Sequence, residues 1–320
     1  MPERIQDPDS TALYFVKAMA IFASVAAHVS LIDTTTALFG YVTRFWDMFS
    51  CISVGNFLIA AGILYARAPG DTGAFWKRKW HSMIIPWLFC GSLTYAYGVL
   101  CGQPCSLLGL GYWLLGNGSW LYYVTLHLLM LALFKPFWQS VPVLVGCVIV
   151  NILQLLHPFV PNPFGNEYLN PANWIGFFAL GVLLRRQGLR FSRGFVAGAA
   201  AVLLVSGSIV YHRWIYSYFH ILNALYSVSA FFVLFALGRK LAMTRLEKPI
   251  RLIGSDTYCI YLLHMFVLLP IFRHFPLPWL KTLSSPVLGM AIMLLLIRLG
   301  KWITGKLPLG DKLRALVGLR

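Results

Sequence analysis

Acidic side chains are scarce in this sequence. Its 320 residues hold only ten Asp and Glu, against 26 Lys and Arg, and all charged residues together make up 11% of the chain. Soluble domains carry about 25%, so no stretch here is polar enough to form a separate soluble domain. The six cysteines, Cys51, Cys90, Cys101, Cys105, Cys147 and Cys259, form no C-x-x-C pair. Zinc and iron–sulfur spacings are therefore missing, and no metal is expected. A Gly-rich phosphate loop, a low-complexity tract and a convincing internal repeat are also lacking. The opening MPERIQDPDS has no basic leader region, and Lys17 interrupts the apolar stretch behind it. The first apolar segment is expected to be retained rather than cleaved.

What the chain does contain is apolar, with 59% hydrophobic residues and a mean hydropathy of +0.72. That composition belongs in a bilayer and predicts an all-α integral membrane protein. Ten spans are expected, near 12–32, 45–66, 82–101, 119–134, 141–156, 172–184, 194–211, 219–238, 254–272 and 284–305. Residues 1–11 then form an N-terminal tail, 12–305 one membrane domain and 306–320 a basic C-terminal tail.

The net charge of +16 raises the question of nucleic-acid binding, and the placement of the charge argues against it. With the N-terminus in the cytoplasm, the inner segments hold nineteen Lys and Arg and the outer segments four: Arg44, Arg213, Arg273 and Lys281. That asymmetry is the positive-inside pattern for ten spans with both termini cytoplasmic. The basic excess is mostly topology, and no nucleic-acid partner is expected. CGQPC, Cys101–Cys105, falls at the outer end of the third span. It reads equally as a small disulfide loop or as two unpaired thiols.

In helices surrounded by lipid and by one another, polar residues at depth carry the information. Lys17 and His28 stand in one span, LYFVKAMAIFASVAAHVSLI. A cation at the centre of a membrane helix costs about 2.5–3.5 kcal/mol on insertion scales. Eleven residues at about 100° each come to within roughly 20° of whole turns, with a rise of about 16 Å, so the two share one stripe at different depths. A shared polar cavity would let a neutral His28 act as general base. Lys17, nearer the cytoplasm, would bind an anion or polarise a carbonyl. Two plainer readings stand beside these: His28 as a hydrogen bond across a helix interface, and Lys17 as a snorkelling cation. HVSLID also fits an H-x4-D spacing, but on a continuous helix Asp33 would point about 140° away from His28.

FWKRKWHSMIIPWL places Lys77, Arg78 and Lys79 just before a span. The three are either an interfacial anchor or a cradle for a phosphorylated ligand. Thr257, Tyr261 and His264 in IGSDTYCIYLLHMF are spaced by four and three residues, which puts them on one helix face. His127 and His220 have no such supporting pattern and are expected to be structural. The proline- and asparagine-rich stretch HPFVPNPFGNEYLNPAN reads as an outer loop long enough to cover a mouth on that face.

Taken in order, several segments resemble the membrane-bound acyltransferase family 3 over nearly the whole chain. The basic residue, ten intervening residues and histidine of the family's first helix correspond to Lys17 and His28. The basic aromatic segment ending at Pro86 is similar to the lead-in to its third helix. SWLYYV, with Trp120, looks like a helix start of the family, and FFALGVLLRR resembles its Gly-containing sixth helix. IGSDTYCIYLLHMF is similar to its signature near the end, with Tyr261 and His264. The family usually has Arg at the position of Lys17 and paired arginines before Pro86. The basic segment looks closest to the branch that modifies polysaccharides in adhesin and enterobacterial-antigen pathways.

The resemblance implies a ten-helix enzyme of the bacterial inner membrane, bathed in membrane lipids. It would transfer an acyl group, usually acetyl from acetyl-CoA, to a hydroxyl of a glycan or lipid-linked saccharide, with release of coenzyme A. His28 and Lys17 would be catalytic; Lys77, Arg78 and Lys79 would hold the donor; and Trp120, Tyr261 and His264 would bind or support substrate. The competing class is a multi-pass transporter or flippase for a polysaccharide precursor, since many spans with buried polar groups suit that role too.

Overall fold

The computed structural model describes residues 8–29, 37–65, 72–215, 217–273 and 278–319, and in them the chain is all-helical with no strand. Asp33 lies outside these residues. Among them, seven helices are long and apolar enough to cross a membrane: Pro8–His28, Gly40–Tyr65, Thr72–Leu100, Arg193–Arg213, Ile221–Leu241, Glu247–Phe272 and Ser284–Thr304. The other three expected spans fall on shorter helices, α7 (Tyr122–Leu133), α8 (Val141–Leu156) and α9 (Ile175–Gln187). At about 1.5 Å per residue these reach only about 18–24 Å, less than a hydrocarbon core of about 30 Å.

The first helix, α1 (Pro8–Val29), is the hub. It packs against α2 (Ala37–Ser50), α3 (Ser53–Tyr65), α11 (Ile221–Leu241), α12 (Glu247–Arg273) and α13 (Pro278–Thr304). Its inward surface is small and apolar, with Val16, Ala20, Ile21 and Ala23 wholly buried. Polar ties fix its start: Thr11 Oγ1 donates to Glu247 Oε1 at 2.8 Å, and Asp9 meets Arg239 at 3.3 Å. Both bonds bring the beginning of α1 to the end of the bundle where α12 begins.

The span expected over 45–66 falls within Gly40–Tyr65, where a turn divides α2 from α3. The backbone turns at Cys51 and Ile52, and the Asn56 side chain closes the break by donating to Ile52 O at 2.7 Å and Ser227 O at 3.1 Å. Below the break α3 crosses α9 almost backbone to backbone. A Cβ on Gly62 would lie 2.2 Å from Phe178 O, and one on Gly181 would lie 2.1 Å from Ile59 O. Small residues at both contact points let two membrane helices approach this closely.

The basic segment around Lys77 is shaped by Pro86. After α4 (Thr72–Lys79) the chain makes one wide π turn, Trp80–Ile84, before α5 (Ile85–Leu100) begins. Proline lacks an N–H and crowds the carbonyl four residues back. The turn widens to relieve this, and the Ile85 N–H reaches back five residues to Trp80 O. Tyr258 of α12 takes up the neighbouring carbonyl, its hydroxyl donating to Met83 O at 2.7 Å.

At the opposite end, Gly116 closes α6 (Leu107–Leu115) in a left-handed conformation, φ +92°, right against Tyr122. The loop from His157 to Trp174 holds itself together. Gln154 Oε1 accepts from the N–H groups of Phe159 and Val160, Asn170 Oδ1 accepts from Ala172 N, and Trp174 Nε1 donates to Tyr168 O. It covers the start of α7, with Tyr168 4.8 Å from Tyr122 between ring centroids. Burial raises the Tyr168 and Tyr218 hydroxyls above the usual phenol range. Cys101 and Cys105 are two separate, exposed thiols. The helix α10 (Arg193–Arg213) packs on α11, whose first turn is capped by His220 Nδ1 accepting from Leu222 N at 3.2 Å. The last segment forms α14 (Gly310–Leu316) and folds back onto α13 and α5.

Candidate functional site

Two cavities approach one another along α12. The first, about 200 Å³, opens at the end of the bundle where α5 and α12 begin. Lys17, Lys79, Tyr123, His127, Thr257 and Tyr261 supply its polar lining, and Ser82, Ser255 and Tyr258 add further hydroxyls. The second, about 380 Å³, lies toward the end where these helices finish. Tyr97, Gln103, Trp113, Trp120, Phe266 and Pro270 line it. Along α12 the lining passes from Tyr261 in the lysine cavity to Met265 in the tryptophan cavity, about one helical turn.

Between them stands a wall of rings. The Tyr261 hydroxyl donates to the carbonyl of Trp120, tying α12 to the start of α7. The His264 ring lies 6.0 Å from Tyr261, 6.3 Å from Trp120 and 5.1 Å from His28, between centroids. Tyr123 continues the wall, 5.3 Å from Tyr261, and its hydroxyl meets His127 Nδ1 at 3.3 Å. Trp113 backs Trp120 at 5.6 Å, and its own N–H donates to Thr94 Oγ1 at 3.1 Å.

The protonation of His264 follows from its partners. Its Nδ1 lies 2.8 Å from Tyr261 O and 3.2 Å from Ile260 O. Carbonyls only accept, so Nδ1 carries the hydrogen and the Nε2 lone pair is left for another donor. Among the described residues, buried Nε2 of His264 has no hydrogen-bond partner, and neither does the buried Nε1 of Trp120. The wall thus holds one vacant acceptor and one vacant donor. Buried polar atoms are rarely left so, and such vacancies fit a polar ligand group.

The stripe on α1 divides between these surroundings. Lys17 lines the lysine cavity, its Nζ 5.3 Å from the centre of the Tyr14 ring. His28 lines neither of these two cavities; its ring lies against that of His264, 5.1 Å between centroids. The stripe therefore runs from the lysine cavity to the ring wall. Of the basic triplet only Lys79 enters the cavity; Lys77 and Arg78 are exposed at the end of α4. All three stand on α4 at successive steps of about 100°, so they cannot share one face, and Lys79 is the one turned to the cavity. Thr257 and Tyr261 line the lysine cavity and His264 stands behind them, as their common face requires.

Sequence reasoning set His127 aside, yet it lines the cavity opposite Lys17 and Lys79. Tyr123, Tyr258 and Ser255 went unnamed as well. The available signal was a second helix with its aromatic and imidazole groups four apart, Tyr123 and His127, which share one helix face. His220, left as structural by the sequence, caps the first turn of α11. No cluster of three or more His, Cys, Asp or Glu that could hold a metal occurs among the described residues.

A family model for an acyltransferase domain matches residues 11–303. The chain belongs to that family, the membrane-bound acyltransferase family 3 that its motifs resemble. No curated protein and no solved structure matches the chain. Its helices and its family make it a multi-pass membrane acyltransferase.

Proposed function

We propose that this protein moves an acetyl group from cytoplasmic acetyl-CoA to a hydroxyl of a glycan or lipid-linked saccharide, with His28 as general base. The observation that carries the reading is the ring wall between two cavities that open toward opposite ends of the bundle. The lysine cavity offers two ammonium groups and several hydroxyls to the donor. The tryptophan cavity offers aromatic faces and the Gln103 amide to a sugar. The reading takes a ten-span topology with both termini cytoplasmic in a bacterial inner membrane, under which the lysine cavity would face the side where coenzyme A is made.

At the wall, an acceptor hydroxyl beside His28 loses its proton to the imidazole as its oxygen bonds to the thioester carbonyl. The Trp120 N–H is the vacant donor for the resulting oxyanion, a role in which one preorganised hydrogen bond is worth about 10²–10³ in rate. Collapse breaks the C–S bond, and the departing thiolate takes the proton from the imidazolium. His264 Nε2 can accept from the charged His28 ring and so hold it in place. Lys17 supplies positive charge on the donor side.

Two cavities on either side of a wall also suit a transporter or flippase working by alternating access. The two readings separate in one assay. Purified protein in detergent, given acetyl-CoA and a hydroxyl-rich saccharide, releases free thiol and acetylated saccharide in the enzyme reading. A transporter moves saccharide across a vesicle membrane and releases no thiol.

A further inference from the structure

The lysine cavity is too small for a whole nucleotide donor. Sites for drug-sized ligands measure about 300–1,000 Å³, and this one holds about 200 Å³. A thioester with part of its flexible arm fits, so the phosphorylated end must lie elsewhere. A larger open cleft of about 620 Å³ adjoins it, lined by Tyr14, Lys248, Arg251, Ser255 and Arg298 among others. Ser255 lines both spaces. Tyr14 stands between their cations, with Lys17 Nζ 5.3 Å and Arg251 Cζ 5.5 Å from its ring centre. A track of positive charge therefore runs from Lys79 and Lys17, past Tyr14, to Arg251, Lys248 and Arg298.

The acidic group nearest this cleft is already committed. Glu247 accepts from Arg251 Nε at 2.8 Å, from Thr11 Oγ1 at 2.8 Å and from Met243 N at 2.6 Å. Arg251 in turn spends its other nitrogens on Thr11 at 2.7 Å and Ser10 at 3.4 Å. It serves as a fixed positive wall. Lys248 and Arg298 are exposed and in no ion pair among the described residues. A guanidinium and an ammonium converging on one cleft match the geometry and charge of a phosphate monoester.

We propose that this cleft is a phosphate subsite for the distal end of the acyl donor, with Lys248 and Arg298 as its contacts. The inference rests on the acetyl-CoA reading above and extends it. A phospholipid headgroup shares the phosphate chemistry, but continuity with the lysine cavity through Ser255 favours the donor.

The test is binding by the full-length protein in phosphatidylcholine nanodiscs, using coenzyme A and its analogue lacking the 3′-phosphate. The wild type should prefer coenzyme A by about 10-fold or more, the ratio one net charge-assisted hydrogen bond supports. Lys248→Gln with Arg298→Gln should erase that preference and keep the wild-type affinity for the dephosphorylated analogue, which also certifies its fold. Arg298→Gln alone should reduce the preference and stands in if the double variant does not assemble. Equal binding of both ligands by the wild type overturns the subsite, as does a preference that survives in the variants. Loss of the preference when phosphatidylglycerol is added assigns the cleft to lipid and overturns it too. If the wild type binds neither ligand, the donor reading itself fails.

Discussion

Lys301 of α13 and Asp256 of α12 form a bidentate ion pair, with Nζ 2.8 Å and 2.9 Å from the two carboxylate oxygens. The Asp256 side chain is 2% exposed and that of Lys301 24% exposed. This difference makes the single variants unequal. Lys301→Met strands a buried carboxylate, which typically costs about 3–5 kcal/mol. Asp256→Ala leaves an amine that can still reach water, so it should cost only about 1–2 kcal/mol, mostly lost packing and hydrogen bonding. The double variant has no stranded charge and should resemble Asp256→Ala, so that the two changes couple by roughly 3–5 kcal/mol. Unfolding of membrane proteins is commonly irreversible, so the readout is the half-life of monodisperse protein at a fixed elevated temperature in one detergent. If the pair is intact at the unfolding barrier the half-life is little changed; if it is broken there, Lys301→Met should shorten it by roughly 10²-fold or more, and adding Asp256→Ala should recover most of the loss. A double variant as short-lived as Lys301→Met would refute the reasoning, because the defect would then not be the stranded carboxylate.

Three other predictions concern the site and its frame. Lys79→Met should raise the KM for acetyl-CoA, whereas Lys77→Met with Arg78→Met should lower membrane insertion and leave the KM of inserted protein unchanged. Equal effects on KM would return the donor role to the whole triplet. Lys17→Arg should stay active and Lys17→Met should raise the donor KM; an unchanged KM in the Met variant would remove Lys17 from the mechanism. Gly181→Ala drives a methyl into Ile59 O and should destabilise by about 1–3 kcal/mol or more, whereas Gly198→Ala, where nothing lies within 4 Å of the added carbon, should be neutral or slightly stabilising; thermal half-lives in detergent rank the two.

Much of this architecture is legible from hydropathy, because a bilayer leaves the backbone little choice but helix. The stripe of Lys17 and His28 is legible for the same reason: costly groups in an apolar segment stand out. What escapes is what depends on distant pairing. The break at Cys51 and Ile52 leaves no mark in composition, since Asn56 repairs it with a hydrogen bond to Ser227, far along the chain. Lys77, Arg78 and Lys79 step by about 100° each on α4, so only one can face the cavity, and which one depends on where α1, α7 and α12 pack. His127 looked ordinary on α7 because Lys17, Lys79 and Tyr261, which make its surroundings a cavity, come from three other helices. The ring wall likewise joins Trp120 to Tyr261 across 141 positions, a pairing no local pattern encodes.

The most direct test of the account is His28→Ala in purified, correctly inserted protein, with acetyl transfer and coenzyme A binding measured on the same sample. His28 does not line the lysine cavity, so coenzyme A affinity should remain near wild type. Transfer should fall by about 10²-fold or more, the typical contribution of a positioned acid–base group. Retention of more than about a tenth of wild-type transfer would contradict the assignment of His28 as the base.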